Sequence, residues 1–142
     1  MKGLLNICLL LILVLSLPFC SCKKSNNGGG GGTPEEENLM VVTSPAADGH
    51  TEAPAPGPNF PLTVTITSKM PPQGVRIEVK AAAESNGTVF YSPTSVTTTN
   101  PNSNFTITNT PVNIPSVVTI TVTSVSKPSN KFTGTYKYSR KS

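Results

Sequence analysis

From Phe60 onward, apolar and polar side chains alternate with a period of two. Leu62, Val64 and Ile66 alternate with Thr63, Thr65 and Thr67, and Val75, Ile77 and Val79 with Arg76, Glu78 and Lys80. Val118, Ile120 and Val122 alternate with Thr119, Thr121 and Thr123, and Phe132, Tyr136 and Tyr138 share one parity against Lys131, Thr133, Thr135 and Lys137. Shorter stretches of the same kind are Val89-Phe90-Tyr91, Ser95 to Thr99, and Phe105 to Thr108. A period of two marks strands with one buried face, and β-branched residues suit such a pleated surface. Between them lie turn-forming clusters: Met70-Pro71-Pro72-Gln73-Gly74, Glu84-Ser85-Asn86-Gly87, Asn100 to Asn104, Pro111 to Pro115, and Lys127 to Asn130. Ala81-Ala82-Ala83-Glu84 is the one helix-friendly run, and it is too short to nucleate a helix. The pattern predicts an all-β, antiparallel sandwich of about 6–8 short strands over residues 59–142.

The preceding segment reads differently. Gly28 to Gly32 cannot hold one backbone conformation, and Pro45, Pro54, Pro56, Pro58 and Pro61 stiffen the chain beyond that tract. Residues 22–58 are therefore expected to be a disordered Gly/Pro-rich tether. Leu39-Met40-Val41-Val42 breaks its polar character, either as an edge strand near residues 39–43 or as an apolar patch in the linker.

Residues 1–21 form a third kind of segment. Lys2 opens it, Leu4 to Leu17 is apolar apart from Asn6 and Ser16, and Ser21-Cys22 comes shortly after. The apolar run is shorter than the ~20 residues that cross a bilayer, and it reads as a secretory signal peptide. Small Ser21 precedes Cys22, whereas bulky Phe19 precedes Cys20, so cleavage is expected between Ser21 and Cys22. Cys8 and Cys20 then leave with the signal, and Cys22 has no partner for a disulfide within the mature chain.

The Ser21-Cys22 junction resembles that of bacterial lipoproteins, and the strand pattern from Phe60 to Lys141 resembles immunoglobulin-like and fibronectin-type-III-like modules. Lipid-anchored envelope proteins of the Bacteroidetes type combine such modules with a glycine-rich tether after the cysteine. The resemblance implies a lipid on Cys22, anchorage in the outer membrane, and a non-catalytic binding or adhesion role. In that family surface export goes with acidic residues just after the cysteine; here Lys23-Lys24 stands there, which leans toward the periplasmic side and leaves the surface-exposed side as the alternative. The chain lacks the core Trp and the Cys pair of many such modules.

Composition narrows the chemistry. Charged residues make up 13% and aromatics 6% of the chain, with a single His. From Pro58 on there is no His, Cys or Asp, and the acids are Glu78 and Glu84 alone. A nucleophile with its base, a close carboxylate pair, or a set of metal ligands is thus not expected, nor is a cofactor. His50 falls in the tether, where a catalytic geometry could not be held, and Glu35-Glu36-Glu37 reads as a solvated acidic run. Tyr91, Tyr136 and Tyr138 are candidates for a sugar-stacking platform, although the shared parity of Tyr136, Tyr138 and Phe132 favours core packing. Asn86-Gly87-Thr88 and Asn104-Phe105-Thr106 match the glycosylation pattern, at turns where Asn is expected anyway.

Charge is unevenly spread. Eight cations against Glu78 and Glu84 make the region from Pro58 basic, while Ser25 to Gly57 carries five acids and no cation. An exported basic domain has no nucleic acid to meet, so envelope glycans, anionic headgroups or another envelope protein are the partners to consider. If the main strands pair in one sheet, Arg76, Lys80, Thr119, Thr121, Thr133, Thr135 and Lys137 emerge together as a hydroxyl-rich, mildly basic binding face. The alternative is a structural subunit held beside a larger outer-membrane complex, with no free ligand of its own.

Overall fold

A computed structural model describes residues 35–142. The expected signal peptide, the glycine tract and Cys22 lie outside the described residues. Within residues 35–142, nine strands succeed one another: β1 (Val41–Ser44), β2 (Asp48–Thr51), β3 (Phe60–Ile66), β4 (Val75–Ala83), β5 (Val89–Tyr91), β6 (Val96–Thr98), β7 (Asn102–Ile107), β8 (Ser116–Ser124) and β9 (Lys131–Tyr138). They form two sheets in a sandwich-like arrangement. The smaller has the order β1-β3-β7; the larger runs β2-β9-β8-β4-β5, with β6 also on β4. All named pairs are antiparallel except β2 with β9.

The alternation read from the sequence becomes the inside and outside of this sandwich. Leu62, Val64 and Ile66 of the smaller sheet face Val75, Ile77, Val79, Val118, Ile120 and Val122 of the larger one in a single buried cluster. Every one of these side chains is 4% exposed or less, so burial removes most of their apolar surface from water. Tyr136 and Tyr138 complete the cluster, with the Phe60 ring 4.3 Å from that of Tyr138. This burial excludes both tyrosines from a stacking platform.

The expected boundary at residue 58 falls inside the domain. Val41 to Ser44 pairs residue for residue with Ile66 to Thr63, and β2 lies parallel along β9. Further on, Ala55 is buried and exchanges backbone hydrogen bonds with the end of the chain, its N–H donating to Ser139 O at 2.7 Å and its carbonyl accepting from Lys141 N at 3.0 Å. Pro45 stands between β1 and β2, where the chain passes from the smaller sheet to the larger. Two strands from this segment raise the count to nine, above the 6–8 expected.

The acidic run is not simply solvated either. Asn130 Nδ2 donates to Glu36 Oε1 at 2.7 Å and to the Glu37 carbonyl at 2.8 Å, and Ser126 Oγ donates to Glu36 Oε2 at 2.7 Å. Burial pushes the Glu36 carboxyl upward, but the hydrogen bonds from Ser124, Ser126 and Asn130 and the charge of Lys127 outweigh it and leave its pKa lowered.

Candidate functional site: the outer face of the larger sheet

The registers of β4, β8 and β9 arrange the outward side chains in rows. Arg76, Thr123 and Lys131 form one row; Glu78, Thr121 and Thr133 the next; Lys80, Thr119 and Thr135 the third; Ala82, Val117 and Lys137 the last. Rows in adjacent strands lie about 4.8 Å apart along the hydrogen bonds, and successive outward residues about 7 Å apart along each strand. The face is thus a patch of threonine hydroxyls with Arg76, Lys80, Lys131 and Lys137 on its margins. Six of the expected face residues (Lys80, Thr119, Thr121, Thr133, Thr135 and Lys137) lie in the last three rows, and Arg76 lies in the first.

The cations differ in how far they are neutralised. Lys137 Nζ is ion-paired with Glu84, and Arg76 Nε lies 3.9 Å from Glu78 Oε1. Among the described residues, Lys80 and Lys131 have no carboxylate at ion-pair distance. Lys131 was not among the residues expected to form the face, because it begins a strand; its register against Thr123 brings it opposite Arg76.

The chain between β5 and β6 adds relief. Ser92, Pro93 and Ser95 rise beside Lys80, Glu78, Thr119 and Thr121 to form an open trough of ≈340 Å³. A second hollow of ≈260 Å³ continues the face past Arg76, Thr97 and Thr123 toward Pro128. The two hollows lie along the same side of β4, so an extended ligand could run through them from Lys80 to Arg76. Hydroxyls of Ser92, Ser95, Thr119 and Thr121 both donate and accept, and Lys80 supplies an unpaired positive charge.

His50 is better held than its sequence context indicated. On β2 its Nδ1 pairs with Asp48 Oδ1 at 2.5 Å and its Nε2 with Glu52 Oε1 at 2.6 Å. These hydrogen bonds, Glu52 first and Asp48 second, raise its pKa against a small opposing effect of burial. Both ring nitrogens are therefore occupied by carboxylates. Glu78 on β4 and Glu84 in the turn after it are roughly half exposed, beside Arg76 and Lys137 respectively. Among the described residues, no group of three or more His, Cys, Asp and Glu is placed to hold a metal ion. No protein-family model matches the chain, and no curated protein matches it in sequence.

Proposed function

We propose that this chain is a lipid-anchored cell-envelope protein whose immunoglobulin-like or fibronectin-type-III-like domain is a non-catalytic binding module. Its partner in this reading is an extended anionic polymer of the envelope, a glycan before all others. The observation that carries the reading is the row geometry of the larger sheet, with unpaired Lys80 in a trough walled by Ser92, Ser95, Thr119 and Thr121. Such a face has no deep apolar pocket from which to draw affinity. Binding would come from many weak polar contacts and from charge, and would fall with added salt.

The anchor is inferred from Ser21-Cys22 and the apolar segment before it. Two or more acyl chains on Cys22 would hold the protein stably on a membrane, which a single chain does not. The outer membrane is the compartment in this reading, with Lys23-Lys24 favouring its periplasmic side.

Two experiments test this reading. Mass spectrometry of the mature N-terminus should find acylated Cys22, and a peptide beginning at Cys20 or Lys23 would refute the anchor. Binding to isolated envelope polysaccharide at low salt should fall at least ~10-fold in the triple variant Arg76→Ala, Lys80→Ala, Lys137→Ala. Equal binding by parent and variant, or none by the parent, would remove this face from the function.

A further inference from the structure

Every open sheet has edges whose unpaired backbone groups can recruit another strand, and folded proteins guard them with charge, proline, bulges or brevity. Most edges of this domain are guarded in that way. On the larger sheet, β2 carries Asp48, has a register shift, and is succeeded by Glu52 and Pro54. At its other edge, β5 and β6 are three residues each, separated by Pro93. On the smaller sheet, β1 has four residues and ends at Pro45.

The fourth edge is β7, and it is guarded least: Pro101 flanks it as Pro45 flanks β1, but the strand itself is longer. It runs six residues, Asn102–Ile107, with an unbroken register against β3. It holds no proline and no charge; indeed the whole chain from Ser85 to Ser126 carries no charged side chain. Among the described residues, its one strand partner is β3.

The parity of the ladder identifies the free groups. Pro101 O accepts from Ile66 N at 2.9 Å, and Thr106 lies opposite Pro61, which has no N–H. Pro101, Ser103 and Phe105 therefore point their backbone groups at β3, while those of Asn102, Asn104 and Thr106 point away from it; of these, the Asn102 N–H donates to Asn100 Oδ1 at 3.3 Å. The side chains are prepared as well. Thr63 Oγ1 donates to Asn104 Oδ1 at 2.9 Å, and Thr65 Oγ1 to Asn102 Oδ1 at 3.0 Å. Each asparagine oxygen is engaged within the domain, and its amide nitrogen has no hydrogen-bond partner among the described residues.

We propose that β7 is a self-association edge whose occupant is β7 of a second copy of this chain, antiparallel about a two-fold axis at Asn104. That arrangement faces Asn104 with Asn104 and Asn102 with Thr106 in both directions. With each Asn102 N–H held by Asn100, the three facing pairs make about four backbone hydrogen bonds and join two three-stranded sheets into one. An isologous contact brings identical side chains face to face, so any charge near its centre would repel its own copy. The strand is neutral throughout, which suits a self-partner. Half-buried Phe105 would come opposite Ser103 of the other copy and lose further exposed surface. A single strand pair lies at the small end of specific interfaces, so the dimer is weak, with a Kd on the order of 0.1 mM in solution. Confinement at a membrane would raise the local concentration above that value.

The test uses the chain from residue 22 onward as Cys22→Ser, studied by sedimentation velocity between about 10 μM and 1 mM. The parent should shift from monomer toward dimer over this range without any polysaccharide. Asn104→Lys sets two cations opposite each other and should weaken association at least ~10-fold, with partial recovery in high salt. Asn104→Pro removes an outward N–H without touching the ladder to β3, and should also leave a monomer. Asn104→Thr and Val42→Lys, the latter on β1, should both behave as the parent. Circular dichroism of each variant checks that the sheets are intact. A parent that stays monomeric at 1 mM, a folded Asn104→Lys that associates like the parent, or loss of association through Val42→Lys would overturn the proposal. The Arg76, Lys80, Lys137 triple variant should dimerise normally, which separates failure here from failure of the polymer-binding reading.

Discussion

The backbone N–H of Leu39 donates to Asn130 Oδ1 at 2.8 Å, across 91 residues of chain. Asn130 sits in the turn between β8 and β9, is 7% exposed, and also holds Glu36 and the Glu37 carbonyl through its amide nitrogen. One side chain thus pins the entry of the domain to its last hairpin, just ahead of β1. Its own carbonyl accepts from Ser124 N at 3.0 Å, which closes the turn.

Asn130→Ala should therefore loosen the start of the domain more than its centre. The lost bonds leave the Leu39 N–H and the Glu37 carbonyl without their partner, at a cost of about 1–3 kcal/mol. Hydrogen exchange should show faster amides through β1 before any change in β8. Uniform exchange across both strands would mean that Asn130 acts through the hairpin alone.

The two core tyrosines should respond oppositely to loss of their hydroxyls. Tyr138 Oη lies 2.6 Å from the buried Thr110 Oγ1, whereas Tyr136 Oη is buried with no partner among the described residues. Burial raises the pKa of both phenols, most strongly that of Tyr136, where the nearby Tyr138 and Glu52 add to the effect. Tyr138→Phe should cost about 1–2 kcal/mol, since Thr110 then loses its bond, while Tyr136→Phe should be neutral or stabilising. Urea denaturation of both variants decides the point, and a larger loss for Tyr136→Phe would contradict this assignment.

The strands from Phe60 onward were legible where β-branched residues alternate at length, as in β3, β4 and β8; in β7 the residues Asn102 to Asn104, expected in a turn cluster, are strand instead, held by their register against β3. The adjacency of β4, β8 and β9 was legible too, since three of the strongest patterns pair in that order. Of the first two strands, β1 is the edge strand that the sequence left as one of two alternatives near residues 39–43, while β2 was not legible, for a physical reason. Asp48-Gly49-His50-Thr51 has little intrinsic strand preference and is held by its parallel pairing with β9. In β1 the second inward position is Thr43, a polar residue 7% exposed, so the apolar alternation stops after Val41. The outer face could be anticipated from parity alone. The trough could not, because it depends on how Ser92 to Ser95 pass between β5 and β6.

Gly134 tests whether β2 is held by close approach. A Cβ there would meet Ala47 O at 2.6 Å, Ala47 Cβ at 2.8 Å and the Phe132 ring at 2.8 Å. Backbone at that distance cannot be accommodated by a side-chain swing. Gly134→Ala should push Ala47 and β2 away from β9, costing about 1–3 kcal/mol, as overpacking typically does. Amide chemical shifts should move along Ala47–Thr51 and β9 while β4 stays in place. A variant with unchanged β2 shifts would show that this approach is not tight.

His50 gives the domain a pH response that can be monitored directly, since the chain contains a single histidine. Its pKa is raised from 6.5 by Glu52 and then Asp48, and that of Asp48 is lowered from 3.8 chiefly by the His50 hydrogen bond. A raised histidine contributes stability that is fully present below pH 6.5 and is lost as pH rises through its elevated pKa. The lowered Asp48 contributes in the opposite sense, present above 3.8 and lost as pH falls through its depressed value. The Asp48–His50–Glu52 cluster should thus hold β2 best between the two titrations and release it on the alkaline side first. In an NMR titration the His50 ring protons should have a midpoint above 6.5, and the amides of β2 should move with the same midpoint. Glu52→Gln should lower that midpoint more than Asp48→Asn does. A parent midpoint at or below 6.5, or one unaffected by either change, would show that the cluster does not persist in solution.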